Sequence, residues 1–523
     1  MTDSSGAVVQ GAALTVHSND TNTDVRTVAT DNSGNFSVTN LPAGTYTVTV
    51  KNTGFRSYSA ANVIVHVAEK RSLDVQLQPG AITETVNVTE TTTPVETTSA
   101  AQLGTITGTQ VRELELNNRN FEQLVTLQPG VTSGLPDVVG FGLSNTSSVV
   151  VNGARSGANN WTVDGADIND SGSNSTLLNV PSVDAIQEFT LGRSNYDAQY
   201  GRSGGGQILV ATKSGTSEFH GDAYEFVRND AFNADDFFSN TIGRKKAPLR
   251  YNDYGFTIGG PLFIPRLYKK SESKTFFFWS EEWRKTGNPS TTTAIVPTAA
   301  QLGGAFSGQV KPGLAAANCV AYNAAANTSQ INPSCISKNA QVYIANVYSK
   351  FPGNSAGGTN YVTSSVGEAN YRQDLVRLDQ NITDKVHIFG RVMQDVVPTT
   401  EPGGLFAGSP LPGISSTATN APGKNLVVNM SWTISPTVVN EAAFNYSWGA
   451  INSNLTGITN SPAFVSALTG GLPYTDPYGR IPSISFPTGS ISGVAAPNAP
   501  YFERNIDKSF YDNFSKVLGN HTI

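Results

Sequence analysis

The stretch YGRSGGGQILVATKSGT begins at Tyr200-Gly201 and sets three successive glycines, Gly204, Gly205 and Gly206, ahead of Lys213-Ser214. Cradling a phosphate requires G-x-x-x-x-G-K-[ST], with a helix N-terminus aimed at the anion. Here the β-rich run QILVAT separates the glycines from the lysine, so that spacing fails. A dinucleotide fingerprint fails too, because Leu209 stands where its third glycine belongs. The glycines are therefore expected to be structural, allowing positive φ or close backbone approach beside a packed strand. In TVDGADIND the acids Asp164, Asp167 and Asp170 raise calcium chemistry, but the D-x-[DN]-x-[DN]-G spacing is absent. Asp164-Gly165 reads instead as a hairpin turn. Glu281-Glu282 in FFFWSEEW cannot flank one glycosidic bond, since adjacent strand residues face opposite ways. The five histidines are isolated, and there is no G-x-S-x-G elbow and no H-E-x-x-H pair. These residues imply no enzyme, no metal site and no cofactor.

Two cysteines, Cys319 and Cys335, lie in the polar stretch ANCVAYNAAANTSQINPSC. Pairing is expected over two free thiols. A bridge closing so short a loop stabilises by about 3 kcal/mol in an oxidising compartment.

The elements that must carry these residues are mostly strands. Of the 523 residues only 14% are charged, while Gly (50) and Pro (27) are plentiful. Ordinary soluble domains carry roughly 25% charge. Turn formers in such number punctuate many short strands. The net charge of −6, with no long Lys/Arg block, disfavours nucleic acid as a partner. No apolar run approaches the roughly 20 residues of a spanning helix, which leaves a β-barrel open. The start, MTDSSGAVVQGAAL, lacks the basic end and apolar core of a signal peptide, so export is absent or a segment precedes this one.

Three regions follow. Residues 1–79 read as a small immunoglobulin-like β-sandwich: turns at Asp31–Gly34 and Pro42–Gly44 precede alternation at Phe36, Val38 and then Tyr46, Val48, Val50. Residues 80–215 mix a Thr-rich extended linker, a short helical segment around Phe121–Leu127 and strands around glycine-rich turns. Residues 216–523 repeat amphipathic, aromatic-rich strands, about eight in all, joined alternately by short turns (IPRLYKKSES, ITD, SPT) and long loops (229–250, 287–370, 396–423, 451–503). In TVVNEAAFNYSW, Phe444, Tyr446 and Trp448 oppose Glu441, Asn445 and Ser447; in KVHIFGRV, Val386, Ile388 and Val392 oppose His387 and Arg391. A soluble sandwich explains the alternation equally well; the loop asymmetry favours an outer-membrane barrel.

The first region, through Asp31…Gly34…Phe36 and Leu41-Pro42…Gly44…Tyr46, resembles the carboxypeptidase-regulatory-like domains, with the usual first strand missing. TVDGADIND, then DAQYGRSGGGQILVATKSGT, then FHGDAYEFVRND and YGFTIGGPLF, resemble the TonB-dependent outer-membrane receptors of the Oar-like branch. The resemblance implies a mainly β protein: the sandwich, a small α/β plug domain, and the N-terminal part of a large antiparallel transmembrane β-barrel. In that family about twenty-two strands close the barrel, so a chain of about eight reads as a fragment. The implied function is capture of a surface ligand (an iron chelate, glycan, vitamin or peptide) and import by TonB-driven plug movement. The alternative is a surface adhesin or secretion-related scaffold. The partners implied are periplasmic TonB, by strand addition, and outer-membrane lipid. The candidate TonB box is Glu84-Thr85-Val86-Asn87-Val88, between sandwich and plug; a plain linker strand is the competing reading. Arg155, Arg193 and Arg202 are expected to contact the lumen wall.

Overall fold

The computed structural model describes the chain except residues 39–40, 90–98, 135–145, 236, 238–245, 247, 264–272, 311–317, 354–359, 407, 436, 469–475, 488–489, 496–497, 519–520 and 523. Most of the expected turn IPRLYKKSES lies outside the described residues.

The first sheet contains β1 (Ala13–Ser18), β2 (Thr23–Ala29), β3 (Gly44–Lys51), β4 (Ser57–Val65) and β5 (Thr85–Thr89), in the order β2-β1-β3-β4-β5. Alternation puts Leu14, Val16, Val48 and Val50 into one core. The Asp31 carboxylate accepts the amides of Ser33 and Asn35 at 2.8 Å each, and Gly34 takes φ +75° at the turn. Tyr46 donates its hydroxyl to the Pro42 carbonyl at 2.6 Å, which explains the L-P-x-G-x-Y spacing. Two expectations change. Phe36 and Val38 pack against the core without forming a strand. The candidate box is no linker: Thr85–Thr89 pairs in parallel with Ser57–Ala61 as the fifth strand of the sandwich sheet.

The second sheet holds β6 (Gln102–Thr107), β7 (Asn160–Val163), β8 (Ala166–Asp167), β9 (Ile186–Ser194) and β10 (Gln207–Thr212), in the order β8-β7-β10-β9-β6. A short helix, Gly108–Glu113, and a 3-10 segment, Phe121–Leu127, cover it. Phe121, Trp161, Phe189 and Ile208 lie within a hydrophobic cluster drawn wholly from residues 106–210, so this globule closes its own core.

The third sheet is an antiparallel meander of β11 (His220–Asn229), β12 (Arg250–Pro261), β13 (Thr275–Ala294), β14 (Tyr361–Thr383), β15 (Val386–Val396), β16 (Gly423–Ser435), β17 (Val438–Leu455) and β18 (Tyr501–Leu518). Its polarity is inside-out. Trp279, Val376, Val392 and Phe444 are exposed on the outer face, while Ser280, Glu282, Arg377, Arg391 and Ser447 are buried on the inner one. A water-soluble layer buries its apolar face; this sheet exposes it and covers the polar face with the plug.

The strands outrun their sequence signal. β13 has 20 residues and β14 has 23, roughly 65–75 Å at about 3.3 Å per residue, against a hydrocarbon core of about 30 Å. The two ends of what reads as the loop 287–370, residues 287–294 and 361–370, are therefore strand standing above the membrane. The remaining long connections pack together: Val296, Tyr343, Val347, Leu411, Phe464, Ile481 and Val494 share one buried cluster. Cys319 and Cys335 are bridged in this cap, with a Cα–Cα distance of 5.7 Å.

Candidate functional site

The Asp164-Gly165 turn is the two-residue loop between β7 and β8, with φ +51° and +83°, as a type I′ hairpin demands. The tight turn pushes the Asp164 carboxylate toward the wall. Its oxygens accept the Thr212 amide at 2.9 Å and hydroxyl at 2.7 Å, which fixes the carboxylate from the plug side. From the barrel, Arg391 Nε approaches Oδ2 at 2.7 Å and Arg377 Nη1 approaches Oδ1 at 3.6 Å. Arg391 also donates to the Val163 carbonyl at 2.9 Å, and Arg377 donates to the Thr212 carbonyl at 3.2 Å. All three charged side chains are buried. The acid motif thus serves as a charge clasp between plug and wall.

A second clasp joins the plug to β12 and β13. Arg119 pairs with Asp184 and reaches Asp253 of the wall at 3.8 Å. Arg284 holds Asp253 at 3.0 Å and Glu282 at 2.9 Å, and Tyr224 donates to Glu282 at 3.0 Å. Burial raises the Asp184 carboxyl against the opposing pull of Arg119. Burial also pushes Glu122, on the segment beside Arg119, up to about 7. Polar pairs complete the seam: Ser182 Oγ lies 3.1 Å from Ser280 Oγ, Ser447 donates to the Asp167 carbonyl at 2.5 Å, and Ser171 donates to Asn505 at 2.7 Å.

The charges sit differently from the expectation. Of the three arginines expected at the lumen wall, Arg202 pairs with Asp167 and donates to Asn174, Arg193 donates to the Pro129 carbonyl, and Arg155 is exposed; the plug arginine that does reach the wall is Arg119. The wall supplies Arg284, Arg377 and Arg391 instead. One sequence does not say which charges pair across a seam. An inward-facing arginine on an amphipathic strand, as at Arg391 in KVHIFGRV, was the available signal.

The glycine run is tight at two of its positions. A Cβ on Gly205 would stand 2.7 Å from the Ala158 carbonyl, and one on Gly206 would stand 2.8 Å from Val151 Cγ2. Gly204 has open space, and none of Gly201, Gly204, Gly205 and Gly206 takes positive φ. Close approach, rather than left-handed backbone, is what Gly205 and Gly206 supply. Tyr200 closes a 3-10 turn just before them, and its carbonyl accepts the Gln207 side chain at 2.8 Å.

The sandwich is tied to both other parts. Glu188 of the plug accepts His66 Nδ1 at 2.8 Å and the Val67 amide at 2.6 Å, and Lys70 meets Asp197 at 2.9 Å. Arg26 donates to Ser431, and Asn381 donates to the Thr23 hydroxyl at 3.3 Å. These contacts seat the sandwich under the end of the barrel where β14 turns into β15. Above, the cap holds a cleft of about 530 Å³ lined by Ile295, Phe306, Asn360, Phe486 and Ile491 among others.

Three family models match in order along this arrangement. A carboxypeptidase regulatory-like domain matches residues 1–78, a TonB-dependent receptor plug domain residues 90–207, and an outer membrane beta barrel domain residues 211–523. The chain belongs to the TonB-dependent outer-membrane receptors of the Oar type. Its place is the bacterial outer membrane, in a family of receptors and transporters rather than of enzymes. The TonB-dependent transporter Oar of Myxococcus xanthus is 26% identical over 261 residues, 46% of this chain and 23% of that protein. Among solved structures, the outer membrane transporter YddB of Escherichia coli aligns with a TM-score of 0.48 at 10% identity, over 80% of this chain and 46% of that one. The siderophore receptor PirA of Acinetobacter baumannii aligns with a TM-score of 0.33 at 13% identity, over 80% and 59%. The chain therefore spans about a quarter of the curated relative and about half of the first of these structures.

Proposed function

We infer that this chain carries the gate of an active importer: a ligand held by the extracellular cap and plug apex passes inward when TonB pulls the plug. The observation that carries the reading is the mismatch between the plug's core and its seat. The plug buries Phe121, Trp161, Phe189 and Leu191 among its own residues, while its seam with the wall carries hydrogen bonds and ion pairs beside two small apolar contacts at Leu178 and Ala185. A globule with a closed core survives displacement, and polar seams exchange for water at small net cost. The energy must come from outside the membrane's outer layer. Strand addition by TonB at Glu84–Val88 would supply it through backbone hydrogen bonds. The reading needs no covalent chemistry, and it leaves the ligand's class open among iron chelates, glycans, vitamins and peptides.

The Ser182–Ser280 contact supplies the test. Replacing both by cysteine (S182C/S280C) in the natural full-length receptor tethers plug to wall. Growth on single nutrients that depends on the receptor should stop when the pair is oxidised and return on reduction. Undiminished uptake by the oxidised form would contradict gating by plug displacement, whereas surface binding with no receptor-dependent growth in either form would favour the adhesin reading.

A further inference from the structure

The candidate box is stored, and the way it is stored has a mechanical consequence. β5 lies at one edge of the sandwich sheet, zipped in parallel to β4 from Ser57↔Thr85 to Ala61↔Thr89. Two contacts tighten its entry: Arg56 pairs with Glu84 at 2.7 Å, and the Ser57 hydroxyl donates to the Ile82 carbonyl at 2.7 Å. Val88 packs against the sandwich core. The two edges of this sheet differ. β2, at one edge, carries Asp24 and Arg26 and is turned to the barrel through Arg26–Ser431 and Thr23–Asn381. β5, at the other, carries neither charge nor proline, and among the described residues no strand pairs with its outer side. Charges on an edge discourage pairing, and a plain short edge accepts it.

The direction of the backbone groups can be read as well. The Glu84 carbonyl accepts the Ser57 amide at 2.8 Å, so it points at β4. With a strand's two-residue period, Val86 and Val88 point the same way, and Thr85 and Asn87 direct their amides and carbonyls outward.

We propose that the N-terminal sandwich is a retaining latch for Thr85–Thr89: it holds the strand against β4 with the opposite edge open to one extended strand of TonB, and the pull peels β5 from β4 before the plug is strained. The sandwich is fastened to the barrel rim and to the plug at His66–Glu188 and Lys70–Asp197, so tension on β5 loads the β4–β5 zipper first. This rests on the reading of Glu84–Val88 as the TonB-contacting segment.

Ser59 and Asn87 are register partners, close enough for a disulfide between neighbouring strands. In the natural full-length receptor in outer-membrane vesicles, S59C/N87C is pulled through a bound periplasmic domain of TonB in a force experiment. Affinity for TonB should agree within about twofold between reduced and oxidised forms, because the outer edge is used. The reduced form should show an early, low-force extension step that the oxidised form lacks. Asn87→Pro, which removes an outward amide, should weaken TonB binding at least tenfold, while Val86→Pro should keep binding and lose the early step. Identical force traces for the oxidised and reduced forms, or loss of binding on oxidation, would overturn the latch. If deleting Glu84–Val88 leaves TonB binding intact, the segment is not the box, and the latch falls with that reading rather than by the force traces.

Discussion

Asp164 shows how much a single side chain carries here. Removing it leaves Arg391 buried without its anion, while Arg377 keeps Asp379 at 2.9 Å, and an uncompensated buried charge costs about 3–5 kcal/mol. Asp164→Ala should therefore lower the urea midpoint for plug release sharply, and adding Arg391→Met should recover part of the loss. If the double variant is as weak as the sum of the two single ones, the clasp is not a coupled unit. His66 gives the pH dependence. Its hydrogen bond and charge contact with Glu188 raise its pKa, with Glu69 adding to the shift and burial and then Arg71 opposing it. A histidine raised on docking contributes fully below its free value of about 6.5, and that contribution is lost as pH rises through the docked value. Sandwich–plug docking, followed by hydrogen exchange at Val67 and Glu188, should weaken from about pH 6.5 upward. His66→Gln should flatten the slope; a slope that survives places its origin elsewhere.

At the scale of elements, the alternation of faces was legible because one wall residue in two must be apolar to meet lipid. Val392 and Arg391 took opposite faces as their spacing required. Val392→Arg should cost about 2–4 kcal/mol if it lies near the bilayer midplane, read as a lower midpoint of barrel unfolding in lipid. No comparable penalty should follow at Asn288, which lies farther along β13. Other elements were hidden for physical reasons. The strand Thr85–Thr89 alternates polar and apolar, but alternation does not name a partner, and its partner Ser57–Ala61 is distant in sequence. The cap's core joins Val296, Tyr343, Leu411 and Phe464 from separate loops, so no local period announces it. β13 and β14 continue upward through Thr291–Thr293 and Thr363–Ser365, polar on both faces, because water surrounds them there. The bridge of Cys319 to Cys335 sits in this cap. Replacing both cysteines by serine should cost the cap about 3 kcal/mol, speeding proteolysis around residues 305–335 while barrel heat resistance is unchanged. Equal loss in both would mean that cap and barrel unfold together.

For the whole molecule, the order of domains was legible from motifs, whereas the seam between them was not. Motifs such as TVDGADIND mark turns that any such plug needs, but the partner of each charge depends on how two separately folded parts meet. The account depends on one assignment: the apolar face of the third sheet meets lipid and its polar face meets the plug. Spin labels in reconstituted vesicles test that directly. Labels at Val392 and Val428 on the outer face should collide with oxygen dissolved in the bilayer and be shielded from a water-soluble nickel chelate. Labels at Met393 and Ser447 on the inner face should be shielded from both, because the plug covers them. Chelate access at Val392 and Val428 equal to that of a soluble surface would contradict the account.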